Sequence, residues 1–191
     1  MTTRRSTLPT VALIGPERLF EAWTAAFGGV TGVEIAAGNI LLQPPGTALV
    51  SPANSFGMMR GGLDYQYALD YAEHSIDIEH QVQQVIASEW GGELPVGNAV
   101  VVATPQHPRW LGLIVAPTMR SPGNIAHTDN AYRAFRAALL AVMAWNWQNP
   151  DRPLGRMACP GLGTGVGGIT PRAAAMRMRA AWEAVVDGDG G

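Results

Sequence analysis

Short apolar runs alternate with segments of helical periodicity along the whole chain. Leu19, Trp23 and Phe27 recur at the spacing of one helix face, whereas the β-branched run Val100–Val102 is typical of a strand. The pattern predicts six strands, at Val11–Ile14, Val33–Ala37, Thr47–Ser51, Asn98–Thr104, Leu111–Ala116 and Arg156–Cys159. It predicts five helices, at Pro16–Gly28, Leu63–Glu73, Ile78–Trp90, Thr128–Trp147 and Pro171–Val186.

The predicted strands lack the apolar–polar alternation of strands that face water on one side. Strands without it are buried on both faces, as in a largely parallel sheet that is covered by helices. We find no internal repeat and no linker in the sequence. The sequence therefore predicts a single α/β domain over residues 11–186, with flexible tails at residues 1–10 and 187–191.

The composition excludes several classes of protein. The 191 residues are 47% hydrophobic and 15% charged, which is too apolar for a disordered chain. The net charge is −2, so we expect no sequence-independent binding of nucleic acid. No apolar stretch approaches the length of about 18 residues that a membrane span needs, and the N-terminus has no apolar core of a secretory signal. We therefore expect a cytoplasmic protein without a membrane partner.

The types of basic residue and the single cysteine exclude further kinds of catalytic and metal-binding site. All 13 basic residues are arginine, which excludes a lysine Schiff base and the P-loop lysine. Cys159 is the single cysteine of the sequence, so an intramolecular disulfide and a cysteine-rich zinc site are excluded. The four histidines are scattered without metal-ligand spacing, and we expect no metal site. His107 lies in a turn between Pro105 and Pro108, which we expect on the surface.

Two glycine-rich loops each join a predicted strand to a predicted helix, at Ser51–Asp64 and at Pro160–Gly168. In an open α/β sheet, ligands bind beyond the carboxyl ends of the strands. Glycine lets backbone N–H groups approach phosphate, and a helix N-terminus adds partial positive charge. The pair of loops therefore predicts a diphosphate ligand. The second loop lacks the GxGxxG spacing, which disfavours a dinucleotide-dependent dehydrogenase.

Asn54 and Asp64 are the candidate polar groups of the first loop. Asn54 follows a buried strand, so its side chain either points into the crevice or fixes its own turn. Asp64 begins a helix after two glycines. It is either a base that orients water or a carboxylate that the helix dipole favours.

Trp145 and Trp147 cannot share one face of the predicted helix, so one of them is expected to be exposed at a partner surface. The oligomeric state does not follow from the sequence.

The residues of both loops resemble the motifs of the macro domain family. The segments Ala48–Ser55 and Gly61–Asp64 are similar to the family's Val-Asn-Pro-Ala-Asn-Ser and Gly-Gly-Val-Asp. Gly38-Asn39-Ile40 stands where that family has Gly-Asp-Ile, and Cys159–Gly168 is similar to its Pro-x-Ile-Ser-Thr-Gly-x-x-Gly loop. The three motifs follow the family's order, and the resemblance covers about residues 33 to 186.

This resemblance implies a three-layer α/β/α sandwich with a mixed, largely parallel central sheet, and ADP-ribose or a derivative as its ligand without a cofactor. Asn54 would hydrogen-bond the distal ribose and Asp64 would lie at its anomeric end, as the catalytic pair. The ligand-binding residues that the resemblance implies are Asn39 and Ile40 at the adenine, together with Ala53, Ser55, Gly61, Gly62, Gly163, Thr164, Gly165, Val166 and Gly167.

The chain departs from the family pattern at both ends of the implied site. Asn39 is an amide where the family has an aspartate at the adenine, so it can accept a hydrogen bond only without charge assistance. Gly167 replaces a frequent aromatic residue, and Ala68 replaces a frequent histidine. Three residues after Asp64 make the distal corner bulkier: Tyr65, Gln66 and Tyr67.

The resemblance implies hydrolysis of an ADP-ribosyl linkage, in ADP-ribosylated protein or nucleic acid or in O-acetyl-ADP-ribose. A non-catalytic module that only binds ADP-ribose would share the same loops. A hydrolase of nucleotide sugars or of other phosphate esters is the third hypothesis, because function depends on the site rather than on the fold.

Overall fold

The computed structural model describes residues 8–188. The strands are β1 (Thr10–Gly15), β2 (Val33–Ala37), β3 (Thr47–Ser51), β4 (Val100–Ala103), β5 (Trp110–Val115) and β6 (Arg156–Cys159). The helices are α1 (Glu17–Phe27), α2 (Gly62–Ala72), α3 (Ile78–Trp90), α4 (Asn130–Gln148) and α5 (Pro171–Gly188). The predicted tails fall largely on residues 1–7 and 189–191, which lie outside the described residues.

All the predicted strands and helices are present, with bounds that move by a few residues. Where the predicted tails overlap the described residues, Thr10 opens β1 and α5 continues to Gly188. One short 3₁₀ turn at Ile40–Leu42 lies between β2 and β3, where the sequence predicted neither a helix nor a strand.

The six strands form one sheet in the order β2-β1-β6-β3-β5-β4. The pairs β1–β2, β1–β6, β3–β6 and β3–β5 are parallel, and β4 pairs antiparallel with β5. The antiparallel pair arises because residues 104–109 form a connection too short for a crossover helix. The sheet is therefore mixed and largely parallel, as predicted.

Successive residues of β1 face opposite sides of the sheet, as the period of two along a strand requires. Val11 and Leu13 pack into a core with α1, α4 and α5. Ala12 and Ile14 pack into a second core with α2 and α3. This arrangement confirms the three-layer α/β/α sandwich. None of the helices in residues 8–188 has the length and apolar character needed to cross a membrane.

The tryptophan pair of α4 separates as predicted. Trp147 is 63% exposed, whereas Trp145 packs partly against the core and donates its Nε1–H to the carbonyl oxygen of Arg152 at 3.1 Å. α4 begins after Asp129, whose side chain makes no capping hydrogen bond. The hydroxyl of Thr128 instead accepts from the backbone N–H of Asn130 at 3.3 Å.

The expected surface position of His107 is wrong, because the residue is only 6% exposed. Its Nδ1 accepts hydrogen bonds from the backbone N–H groups of Arg109 and Trp110, both at 3.1 Å. Its Nε2 lies 3.3 Å from Oδ2 of Asp70. The β4–β5 turn thus uses the imidazole as an internal acceptor, which the proline pattern around it did not reveal. Burial lowers the pKa of His107, although Asp70 opposes that shift.

Candidate functional site

A cavity of about 680 Å³ lies along the carboxyl ends of the five parallel strands. Each of these strands is followed by a segment that lines it. Across the sheet these segments come in the order Gly38–Ile40 after β2, Pro16–Leu19 after β1, Pro160–Gly167 after β6, Pro52–Gln66 after β3 and Thr118–Pro122 after β5. Neighbouring strands lie about 4.8 Å apart, so five strand ends span roughly 19 Å. The cavity is therefore an elongated groove.

The structure brings together nearly all the residues that the sequence analysis proposed for the site. Those that line the cavity are Asn39, Ile40, Ala53, Asn54, Gly61, Gly62, Asp64, Gly163, Thr164, Gly165, Val166 and Gly167. Ser55 does not line it. This residue is buried, and its backbone N–H donates to the carbonyl oxygens of Met119 and Arg120, each at 3.1 Å. Ser55 therefore holds the first loop against the segment that follows β5.

The glycines of the second loop serve two different purposes. Gly163 has a φ of +74°, and a Cβ there would lie 2.6 Å from Cδ1 of Ile169. A Cβ on Gly167 would lie 2.6 Å from the carbonyl oxygen of Gly163. A Cβ on Gly165 would meet nothing within 4 Å, at a φ that any residue adopts. Gly163 and Gly167 thus shape the loop, whereas Gly165 leaves open space in the cavity.

The side chain of Asn54 fixes the first loop. Its Oδ1 accepts from the backbone N–H groups of Phe56 at 3.0 Å and Met58 at 3.3 Å. Its Nδ2 donates to the carbonyl oxygen of Met58 at 2.7 Å. These contacts correspond to the alternative in which Asn54 holds its own turn, although the residue also lines the cavity.

Asp64 lies in the first turn of α2 and is 8% exposed. The hydroxyl of Ser51 donates to its Oδ1 at 2.7 Å. Burial raises the pKa of Asp64 to about 6, and the bond from Ser51 partly opposes this shift. Asp64 is therefore mostly ionised at neutral pH while remaining a stronger base than a solvated aspartate.

Asn39 lies at the opposite end of the groove, where its Oδ1 caps the 3₁₀ turn by accepting from the backbone N–H of Leu41 at 2.9 Å. Ile40 is buried beside it. The backbone N–H of Gly38 donates to the carbonyl oxygen of Gly15 at 2.9 Å. This bond joins the segments that follow β2 and β1 into one wall of the cavity.

Two lining segments were missed by the sequence analysis. Gly15, Pro16 and Arg18 lie where β1 ends and α1 begins, and Thr118, Met119 and Pro122 follow β5. The signal that identifies them is position, because each segment follows a parallel strand at its carboxyl end. Neither is a glycine-rich loop.

Two arginines add positive charge to the lining, Arg18 and Arg60. The Arg60 side chain is 80% exposed and its Nε lies 3.4 Å from Oε1 of Glu79.

The distal corner is less crowded than the sequence indicated. Of the three residues after Asp64, only Gln66 lines the cavity. Tyr67 is fully buried and donates its hydroxyl to the carbonyl oxygen of Val50 at 3.2 Å, while Tyr65 is half-exposed outside the cavity. Within residues 8–188, no three histidine, cysteine or acidic side chains are grouped to hold a metal ion.

Comparison with known proteins gives consistent matches. A family model described as Macro domain matches residues 50–178. An uncharacterized protein of Aquifex aeolicus is 31% identical over 147 residues, which cover 76% of this chain and 78% of that protein.

Solved structures share the fold. The macrodomain of Mycobacterium tuberculosis DarG gives a TM-score of 0.59 at 21% identity, covering 78% of this chain and 89% of that one. A mutant of the Oceanobacillus iheyensis macrodomain with ADPR gives a TM-score of 0.56 at 20% identity, covering 76% and 74%.

Proposed function

This chain belongs to the macro domain family, and we propose that its groove binds ADP-ribose and that the protein hydrolyses an ADP-ribosyl linkage. The substrate would be an ADP-ribosylated macromolecule or O-acetyl-ADP-ribose. The structure of the Oceanobacillus iheyensis mutant, which has the same fold, includes ADPR.

The order of the lining segments across the sheet carries this proposal. Asn39 and Ile40 follow β2 at one side, Gly163–Gly167 follow β6 in the middle, and Asn54 and Asp64 follow β3 beyond them. ADP-ribose has the same linear order of parts, from adenosine through diphosphate to the distal ribose. An extended ligand can therefore meet an adenine wall, a glycine loop and a carboxylate in turn.

The middle of the groove suits a diphosphate. The open space at Gly165 lets a phosphate approach the backbone N–H groups of the second loop. α2 begins at Gly62 on the cavity wall, so its N-terminal partial charge favours an anion. Arg18 and Arg60 add positive charge to the same lining.

Hydrolysis would use Asp64 at the distal end. In the step that we propose, the oxygen of a water forms a bond to the anomeric carbon, and the bond from that carbon to the leaving group breaks. The electron pair of the broken bond goes to the leaving group, and Asp64 takes the proton of the water. A carboxylate with a pKa of about 6 is suited to this role, because it is ionised at neutral pH yet basic enough to accept a proton.

One observation favours the second candidate, a module that binds ADP-ribose without turnover. Both polar atoms of the Asn54 side chain already bond within their own loop, through Phe56 and Met58. Asn54 would then support the wall of the cavity rather than assist the reaction, and Asp64 would act without help from Asn54.

Calorimetry and a turnover assay test the two parts separately. We expect ADP-ribose to bind at least about tenfold more tightly than AMP, because AMP cannot fill the diphosphate and distal sites. We expect Asp64→Asn to lower kcat by about 10²-fold and to change the Kd of ADP-ribose by less than about tenfold. Equal affinities for AMP and ADP-ribose would contradict the binding mode. Binding by the wild type without turnover of any ADP-ribosyl substrate would favour the second candidate.

A further inference from the structure

Ser51 is a buried hydroxyl that ends the central strand β3 directly behind the proposed site. It is 1% exposed and does not line the cavity. Its backbone carbonyl accepts from the N–H of Ala116 at 3.1 Å, which fixes it to the neighbouring strand end. Its Oγ donates to Oδ1 of Asp64 at 2.7 Å. The hydroxyl therefore connects a rigid strand to the carboxylate on the first turn of α2.

The two oxygens of Asp64 differ in their surroundings. Oδ1 is held by Ser51. Oδ2 accepts no hydrogen bond from another side chain within residues 8–188. It is also not one of the fully buried polar atoms that lack a hydrogen-bond partner there. Asp64 lines the cavity, and Oδ2 is the oxygen that Ser51 leaves available for a ligand there.

We propose that Ser51 is a positioning residue that anchors Oδ1 of Asp64 and thereby presents Oδ2 to the ligand at the distal end of the groove. Its effect on turnover rests on the proposed hydrolysis, whereas its effect on Asp64 itself does not.

The other groups near Asp64 do not replace this bond. Tyr67, on the same helix, donates its hydroxyl to the carbonyl oxygen of Val50 instead. The buried thiol of Cys159 ends the adjacent strand and donates to the carbonyl of its neighbour Pro160 at 3.5 Å. Arg60 lines the same cavity but pairs with Glu79. Ser51 is thus the side-chain donor that stabilises the ionised form of Asp64 against its burial.

The test compares Ser51→Ala with a matched control, Thr47→Val. Thr47 lies at the other end of β3, is fully buried, and donates its hydroxyl to the carbonyl oxygen of Pro44 at 2.8 Å. Each substitution removes one buried hydroxyl from the same strand, but only Ser51 bonds to Asp64. A loss of strand stability alone would affect both variants alike.

The first readout is the titration of the Asp64 carboxyl carbon by NMR in the ligand-free protein. We expect its pKa to rise by about one unit or more in Ser51→Ala, as loss of a hydrogen bond to a charged group requires, and to stay unchanged in Thr47→Val. An unchanged Asp64 titration in Ser51→Ala would overturn the proposal. If Ser51→Ala does not fold, Ser51→Cys takes its place. Because a thiol is only a weak donor, we expect a smaller rise in the pKa of Asp64, and a pKa equal to that of the wild type would overturn the proposal.

The second readout is the pH profile of kcat/KM. We expect its acid limb to move to higher pH by the same amount in Ser51→Ala, with the Kd of ADP-ribose at pH 8 within about threefold of wild type. An acid limb that stays at the wild-type pH in Ser51→Ala would overturn the proposal, because the bond from Ser51 would then have no effect on the Asp64 carboxylate. If the Asp64 titration shifts in Ser51→Ala but the wild-type protein turns over no substrate, the proposed hydrolysis is refuted. The link between Ser51 and Asp64 is then still supported.

Discussion

Ile125 occupies the space beside Gly167 that a side chain at that position would need. The backbone N–H of Ile125 donates to the carbonyl oxygen of Gly167 at 2.8 Å, and a Cβ on Gly167 would lie 2.7 Å from Cγ1 of Ile125. The segment after β5 therefore supports the second loop from behind. A side chain at position 167 would therefore have to displace Ile125 and the carbonyl oxygen of Gly163.

The first prediction concerns the stability of this loop. Gly167→Ala places a methyl group against both Ile125 and the carbonyl oxygen of Gly163. The carbonyl oxygen belongs to the backbone, so it cannot move away without distorting the loop. We expect it to lower the free energy of unfolding by about 1–3 kcal/mol. Gly165→Ala, the matched control in the same loop, should stay within about 0.5 kcal/mol of wild type. Urea denaturation measures both, and equal stabilities would refute the packing argument.

The second prediction concerns the affinity of the second loop for the diphosphate of ADP-ribose. Gly165→Val adds a side chain in open space at an ordinary φ, so the fold should be preserved while the phosphate is kept from the loop. We expect a loss of ADP-ribose affinity of at least about 10²-fold, as blocking of the diphosphate site implies. Gly155→Val is the control, because Gly155 is equally open but precedes β6 at the opposite end of the strand. Calorimetry that finds wild-type affinity in Gly165→Val would show that the second loop is only a turn.

The third prediction concerns the cost of burying Asp64. Its pKa is raised from 3.8 to about 6, so the folded protein binds a proton more tightly than the unfolded chain between these values. The ionised group therefore lowers stability above about pH 6, and this penalty disappears as the pH falls below 3.8. We expect Asp64→Asn to raise the free energy of unfolding by about 1–3 kcal/mol at pH 7.5 and to have little effect at pH 3.5. Denaturation at both pH values measures the difference, and destabilisation at pH 7.5 would contradict it.

The fourth prediction concerns His107, whose pKa is lowered mainly by burial. The unfolded chain then binds the proton more readily, so stability is present above about pH 6.5 and is lost as the pH falls through the lower pKa of the folded state. Protonation also removes the acceptor that Nδ1 offers to Arg109 and Trp110. We expect His107→Asn, which keeps an acceptor but does not titrate, to lose less stability than wild type between pH 7.5 and pH 5. Parallel pH dependences in the two proteins would refute this role.

The sequence predicted the fold well because its signals are local. Apolar runs such as Thr47–Ser51 and the helical spacing of Leu19, Trp23 and Phe27 are properties of short segments. The antiparallel pairing of β4 and the strand order are not local properties, because they depend on which distant segments of the chain pair with each other. Most of the proposed ligand-contacting residues line the cavity because their loops follow the carboxyl ends of parallel strands. The alternation of strands and helices along the sequence already indicated such a sheet.

Side-chain direction was the part that the sequence left open. Asn54 could point into the crevice or fix its turn, and the bonds to Met58 and Phe56 arise from the path of its loop. His107 was misplaced because turn residues around it give no information about an imidazole that serves as an internal acceptor.

By itself, the sequence determined the α/β alternation, the two glycine loops and the absence of lysine chemistry, because these follow from residue types and short-range spacing. Only the tertiary structure decided that β1 lies between β2 and β6, so that the β1–α1 segment joins the groove. It also decided that Ser51 meets Asp64 across 13 residues of chain. Such contacts depend on how the strands pair and how α2 packs on the sheet. The spacing of residues within a short segment of sequence does not determine either.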